Sequence, residues 1–151
     1  MVISDLIFEE MKICHLEDVV LIERAVFLNP WTYDMYKAEV LKDYSHHYVV
    51  KYGNELVAFF GFFNTSDNEA EVTNIAVKPT FQGKHIGNYI MDFMFNKARE
   101  FGINKIFLET RATNLRAQHL YEKHGFKLLN IRKKYYDGVE DAYIYIWENA
   151  Y

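Results

Sequence analysis

The sequence predicts a mixed α/β fold, an α+β sheet built from an antiparallel meander, one parallel crossover and a C-terminal hairpin. Three observations predict it. Runs of β-branched and aromatic residues between Tyr48 and Val77 are punctuated by turn residues. An amphipathic segment opening at Ile86 lies between two strand-like runs, as in a βαβ crossover. Two further strand-like runs flank Asp137-Gly138 at the end of the chain. Aromatic residues make up 17% of the chain, a surplus that favours a sheet whose core or pocket is filled by large side chains.

The elements follow in order. Asp5 to Ile13 reads as a strand. Leu16 to Phe27 places Leu16, Val19, Val20, Ile22 and Val26 largely on one helical face, and Asn29-Pro30 breaks the pattern. Thr32 is suited to cap a short second helix carrying Met35, Val40 and Leu41. Tyr48 to Tyr52 and Leu56 to Phe63 form strands joined by the hairpin signal Gly53-Asn54, with His46-His47 preceding the first. Ser66-Asp67-Asn68 turns the chain into a third strand, Ala70 to Val77, which Pro79 ends.

A loop, Thr80 to Ile86, leads into a helix with Ile86, Tyr89, Ile90, Phe93, Met94, Ala98 and Phe101 at helical spacing and Gly102 as its C-terminal stop. Ile103 to Thr110 is a strand, and Asn114 caps a short helix to Lys123 that Gly125 stops. Phe126 to Tyr136 and Ala142 to Trp147 close the sheet. No repeat, low-complexity segment or linker interrupts the chain, so residues 1–151 read as a single domain with one core.

Composition narrows the function. A net charge of −4 supplies no general attraction for nucleic acid or an anionic membrane. The single cysteine, Cys14, excludes an internal disulfide framework, and its neighbours Ile13 and Leu16 suggest a structural thiol. No apolar run has the length of a membrane span. The early acidic residues Asp5, Glu9 and Glu10 do not fit a signal peptide, so a cytoplasmic location is expected. His119 and His124 are badly spaced for a shared metal face, and no metal is expected.

Two places join a strand end to a helix start, where ligands of open α/β sheets collect. The first is Asn74-Ile75-Ala76-Val77 followed by Gln82-Gly83-Lys84-His85-Ile86-Gly87. Free N–H groups and the helix dipole there favour phosphate oxygens, and Lys84 adds charge, although a glycine turn before a helix is often plain loop geometry. The second is Leu108-Glu109-Thr110-Arg111 followed by Asn114, with Tyr121 on the short helix beyond. Read separately, Glu109 is a solvated or ion-paired strand-end residue and Tyr121 a core tyrosine. Read together, they offer the proton acceptor and donor that acyl transfer to an amine requires.

Asn74 to Gly87 resembles the acetyl-CoA motif of the GNAT superfamily of N-acetyltransferases, Gln/Arg-x-x-Gly-x-Gly/Ala. Leu108 to Asn114 with Leu120-Tyr121-Glu122-Lys123-His124-Gly125-Phe126 is similar to the bacterial ribosomal-protein alanine N-acetyltransferases, the RimI family. Arg132 to Tyr136 with Glu140-Asp141-Ala142, and Asn29-Pro30-Trp31, extend the likeness over nearly the whole chain.

The resemblance implies acetyl-CoA as co-substrate and a protein N-terminus, that of a ribosomal protein, as acceptor. By position it implies that Ile75, Ala76 and Val77 offer strand backbone to the pantetheine arm. Gln82 belongs to the motif, and Gly83, Lys84, His85, Ile86, Gly87 and Asn88 wrap the pyrophosphate. Asn114 bonds the cofactor near the thioester, Glu109 is the general base through water, and Tyr121 is the acid that protonates departing CoA. The amine is expected between the Pro30-Trp31 loop and the terminal hairpin, with Trp31, Tyr135 and Tyr136 as its contacts. The tyrosines read equally well as ordinary strand aromatics. Glu140-Asp141 either attracts a basic peptide or is simply solvated.

An α-ammonium with a pKa of about 7.7–8.0 is roughly a tenth neutral at pH 7, against well under about a thousandth for a lysine near 10.4. A single carboxylate acting through water therefore suits an N-terminus. The family has glycine where this chain has His85, so a β-carbon there either crowds the phosphate and strains a positive φ or is accommodated pointing outward. Two other readings compete: transfer to a small-molecule amine, and a CoA-binding module without catalysis, against which both Glu109 and Tyr121 speak.

Overall fold

A computed structural model describes residues 2–149. Its strands are β1 (Leu6–Glu10), β2 (Ser45–Tyr52), β3 (Glu55–Asn64), β4 (Glu69–Val77), β5 (Lys105–Arg111), β6 (Lys127–Tyr136) and β7 (Glu140–Glu148). Its helices are α1 (Leu16–Val26), α2 (Tyr33–Val40), α3 (Ile86–Glu100) and α4 (Leu115–Lys123). The strands form one mixed sheet in the order β1-β2-β3-β4-β5-β7-β6, with β4 and β5 parallel. The meander, the crossover and the closing hairpin are all present. The chain divides into two compact units, Met1–Phe63 with Thr73–Gly87 and Asn64–Val72 with Asn88–Tyr151, so β4 contributes to both.

In the first unit, β3 is apolar without alternation because Leu56 to Phe62 are buried throughout, as in a strand covered on both faces. Helix α1 seats Leu16, Val19, Val20 and Ile22 in a core with Val49, Leu56, Phe59 and Ala76. Thr32 caps α2 as expected, its hydroxyl accepting from the Met35 N–H at 3.3 Å. The buried face of α2 differs from the expected one. Met35 and Leu41 are exposed, and Tyr36 and Glu39 are buried, because the polar tips of both find hydrogen-bond partners inside.

The first strand is shorter than expected, since Ile13–His15 forms a 3₁₀ turn. Cys14 lies in that turn and is exposed, so it is not the buried structural thiol its neighbours suggested. His46 and His47 lie within β2 rather than before it. His47 faces Gly61 across the β2–β3 ladder, and a Cβ at 61 would stand 2.1 Å from the imidazole Nδ1. Glycine is thus required at 61 for space.

In the second unit, β5 alternates, with Ile106, Leu108 and Thr110 buried and registered against Trp147, Tyr145 and Tyr143 of β7. Registered neighbours share a face of the sheet. The covering helix α3 buries Ile90, Met91, Met94, Phe95 and Ala98. Tyr89, expected on that stripe, is exposed, because the helix is turned to stack Phe95 on Trp147 at 4.7 Å, and Phe101 is exposed just beyond the helix end. Strand β5 starts at Lys105, two residues later than expected. Asn114 caps α4, its Oδ1 accepting from Ala117 N–H at 3.2 Å.

Burial pushes the His47 imidazole down to about 4, with the Glu39 charge opposing and His46 assisting. Its Nε2 has no partner among the described residues. Below the unfolded value of about 6.5 the unfolded chain binds a proton that the folded chain refuses, so stability is lost as pH falls through that interval. Urea midpoints measured from pH 7 to pH 4 should fall by the equivalent of about 3 kcal/mol from this group. The wild-type slope should exceed that of His47→Gln over the same range.

Candidate active site

The turn that opens α3 joins the end of β4 to the helix start. Gln82 reaches back with its Nε2 to the Val77 carbonyl at 3.0 Å, tying the turn to the end of β4. Gly83 has a φ of 77° and His85 a φ of 67°, both left-handed. Space around Gly83 is open, with no heavy atom within 4 Å of a built Cβ. A loop that alternates handedness in this way gathers its N–H groups on one side, next to the positive end of the α3 dipole. Lys84 and His85 are exposed and Ile86 is buried, so the two polar side chains stand clear while the helix start is anchored in the core. The positive φ expected at 85 is therefore present, carried by a residue that pays a steric cost glycine would not.

Ile75, Ala76 and Val77 form the last turn-ward stretch of β4, with Ala76 buried and Ile75 and Val77 half-buried. Asn88, in the first turn of α3, is held by a side chain that sequence reading had left aside: His124 Nε2 lies 2.8 Å from Asn88 Oδ1, and its Nδ1 is 3.8 Å from Asp92. Burial lowers the His124 pKa, with Asp92 opposing. In the first unit Trp31 is half-buried, its ring 5.1 Å from Tyr36.

The acid–base candidates lie in the second unit. Along β5, Glu109 shares a face with Phe107 and Arg111, opposite to Leu108 and Thr110. The β4–β5 register pairs Glu71 with Phe107, which puts Glu71 on the Glu109 face too. Arg132 of β6 brings its Nη1 to 3.5 Å from Glu109 Oε1. Burial raises the Glu71 pKa, the Glu109 charge raises it further, and Arg132 opposes both. Glu71 was missed in the sequence because a strand glutamate carries no local signal. Only the register aligns it with Glu109.

Tyr121 sits on the other face of β5, 8% exposed, its ring 5.9 Å from Phe126 and 6.3 Å from Tyr145. Burial raises its phenol well above the ordinary value, and Tyr136 adds to the shift. Tyr136 is raised in turn by its own burial and by the Glu109 charge, so its hydroxyl lies within electrostatic reach of both. The Arg111 guanidinium stacks 4.3 Å from the Tyr136 ring and binds Glu140 at 3.0 Å. Tyr135 is half exposed, edge-on to Tyr136 at 5.4 Å.

Glu140 also accepts from the Thr113 N–H and hydroxyl, and Asp141 accepts from Lys134 N–H at 2.9 Å and pairs with Lys133. Asp141 thus holds the β6–β7 hairpin and Glu140 ties it to β5 and the start of α4, so neither carboxylate is simply solvated. Asn114, with its Oδ1 engaged by the cap, keeps its amide N–H groups as donors at the end of β5.

Comparison with known proteins gives one consistent result. The sequence profile of the Acetyltransferase (GNAT) family matches residues 13–126. A candidate ribosomal protein bS18-alanine N-acetyltransferase of Bacillus subtilis (strain 168) is 35% identical over 136 residues, covering 89% of each chain. The ribosomal protein bS18-alanine N-acetyltransferase of Haemophilus influenzae (strain ATCC 51907 / DSM 11121 / KW20 / Rd) is 32% identical, covering 86% of this chain and 87% of its own. The crystal structure of the Escherichia coli ribosomal-protein-S18-alanine N-acetyltransferase superposes with a TM-score of 0.89 at 26% identity, over 97% of this chain and 95% of that one.

Replacing His85 by glycine should relieve the left-handed strain, raising stability by about 1 kcal/mol. CoA affinity should rise with it. Thermal melts and CoA titration of His85→Gly read both, and an unchanged affinity would show that the loop already fits the pyrophosphate without strain.

Proposed function

The chain belongs to the GNAT acetyltransferase family, and from that membership we propose that it acetylates the N-terminal alanine of a ribosomal protein, in the cytoplasm. It is an acetyl-CoA-dependent N-acetyltransferase. Residues 1–151 serve as one transferase domain in this reading. Among the described residues no helix is long and apolar enough to cross a membrane.

The observation that supports the proposal is a carboxylate and a buried phenol at the one strand, Glu109 facing Arg132 on one side of β5 and Tyr121 packed against Tyr145 on the other. Direct acyl transfer needs a proton acceptor near the amine and a proton donor near the sulfur, the two roles that this carboxylate and this phenol can fill. The co-substrate would be held by the backbone of Ile75, Ala76 and Val77, by Gln82, Gly83, Lys84, His85, Ile86, Gly87 and Asn88 at the pyrophosphate, and by the Asn114 amide. It supplies an activated thioester.

Glu109, acting through water, takes the proton from the acceptor nitrogen as the C–N bond forms and the C–S bond breaks. Glu71 adds a second negative charge on the same face, which favours approach of an ammonium. Tyr121 keeps its proton through the neutral range, donates a hydrogen bond to sulfur as negative charge builds there, and gives up the proton last, recovering it from solvent. Trp31, Tyr135 and Tyr136 are the acceptor contacts. No acyl-enzyme is needed, so Cys14 has no part.

Mass spectrometry of peptides incubated with enzyme and acetyl-CoA tests the acceptor. A peptide beginning with alanine should gain acetyl at its α-amine. Preferential acetylation of polyamines or free amino acids would replace the proposal with small-molecule transfer. Glu109→Gln should lower kcat about 10²–10⁴-fold with CoA binding retained. A wild-type protein that binds CoA and transfers no acetyl to any amine would be a CoA-binding module instead.

A further inference from the structure

Helix α1 carries a carboxylate where its helical pattern calls for an apolar residue. Glu23 is 1% exposed and makes no salt bridge among the described residues. A buried carboxylate without a cation is costly unless hydrogen bonds surround it, and here they do. Its Oε2 accepts from the Trp31 backbone N–H at 3.0 Å. Its Oε1 accepts from the Tyr36 hydroxyl at 2.5 Å and from Asn74 Nδ2 at 3.1 Å. Asn74 Nδ2 also donates to the Tyr36 oxygen at 2.8 Å, closing a triangle.

These partners are not arbitrary. Trp31 is the proposed acceptor contact, and Asn74 directly precedes the Ile75 to Val77 stretch proposed for the cofactor. Tyr36, fully buried and edge-on to Phe59 at 5.7 Å, locks the triangle to the core. Burial raises the Glu23 pKa, while its three donors favour the charged form that the geometry uses.

We propose that Glu23 is a positioning residue, whose carboxylate fixes the Trp31 loop in register with the strand carrying Asn74. The role rests on the reading of Trp31 as an acceptor contact. A glutamine at 23 cannot reproduce the set, since its amide must turn a donor toward Trp31 N–H or toward the Asn74 amide.

Steady-state kinetics with acetyl-CoA and an alanine-initiated peptide test it, alongside CoA titration and the emission of Trp31 read in a Trp147→Phe background. Glu23→Gln should raise the peptide KM about tenfold, the loss of one charge-assisted hydrogen bond, with kcat and CoA affinity within about twofold. Its Trp31 emission should shift to the red. Asn74→Ala, which spares the Trp31 bond but releases the strand anchor, should raise KM in the same direction by less.

An unchanged peptide KM in a folded Glu23→Gln, or a raised KM with unaltered Trp31 emission, overturns the proposal. If Glu23→Gln does not fold, Asn74→Ala decides, and an unchanged KM there overturns it as well. A wild-type enzyme that acetylates no peptide would sink the functional reading, while the emission shift would still decide whether Glu23 anchors Trp31.

Discussion

The two-residue period of β5 is the constraint on which the chemistry depends. Successive side chains must point to opposite faces, so Leu108 and Thr110 enter the helix-covered side while Glu109 emerges on the other. Tyr145 and Trp147 of β7 repeat the alternation, and α4 then has an apolar floor on which to lay Tyr121. Shifting the strand by one residue would bury the carboxylate among aromatics and expose the leucine, exchanging every role at once.

Three carboxylates of this aromatic-rich chain are explained by what they hold. Glu23 gathers a backbone N–H, a phenol and an amide. Glu39 takes the Ser45 hydroxyl and the Lys42 ammonium at the end of α2. Glu140 joins Arg111 to Thr113 and so ties the last hairpin to the start of α4. In each case the hydrogen bonds select one arrangement of loop and strand. Arg111 does so twice, through its ion pair and through its stacking on Tyr136.

The turn before α3 shows a different compromise. A residue with a β-carbon holds a left-handed φ of 67° there, a conformation that glycine adopts more freely. His85 adopts the left-handed conformation with an exposed imidazole, one of the side chains that tolerates it best outside glycine.

Local signals were enough for the order of elements, for the Thr32 and Asn114 caps, for both hairpins and for the strained position at 85, since each is set by a few adjacent residues and their dihedral preferences. Motif spacing also singled out Glu109 and Tyr121 as a pair. What only tertiary structure decided is which residues meet across strands: Glu71 beside Glu109 through the β4–β5 register, Arg132 from β6, and Glu23 with Asn74 across 51 positions of sequence. The rotation of α3 toward Phe95 and the exposure of Met35, Leu41 and Cys14 belong here too. Hydrophobic spacing says that a helix has an inner face, but the facing aromatic and polar groups choose the angle, and those contacts have no trace in the local sequence.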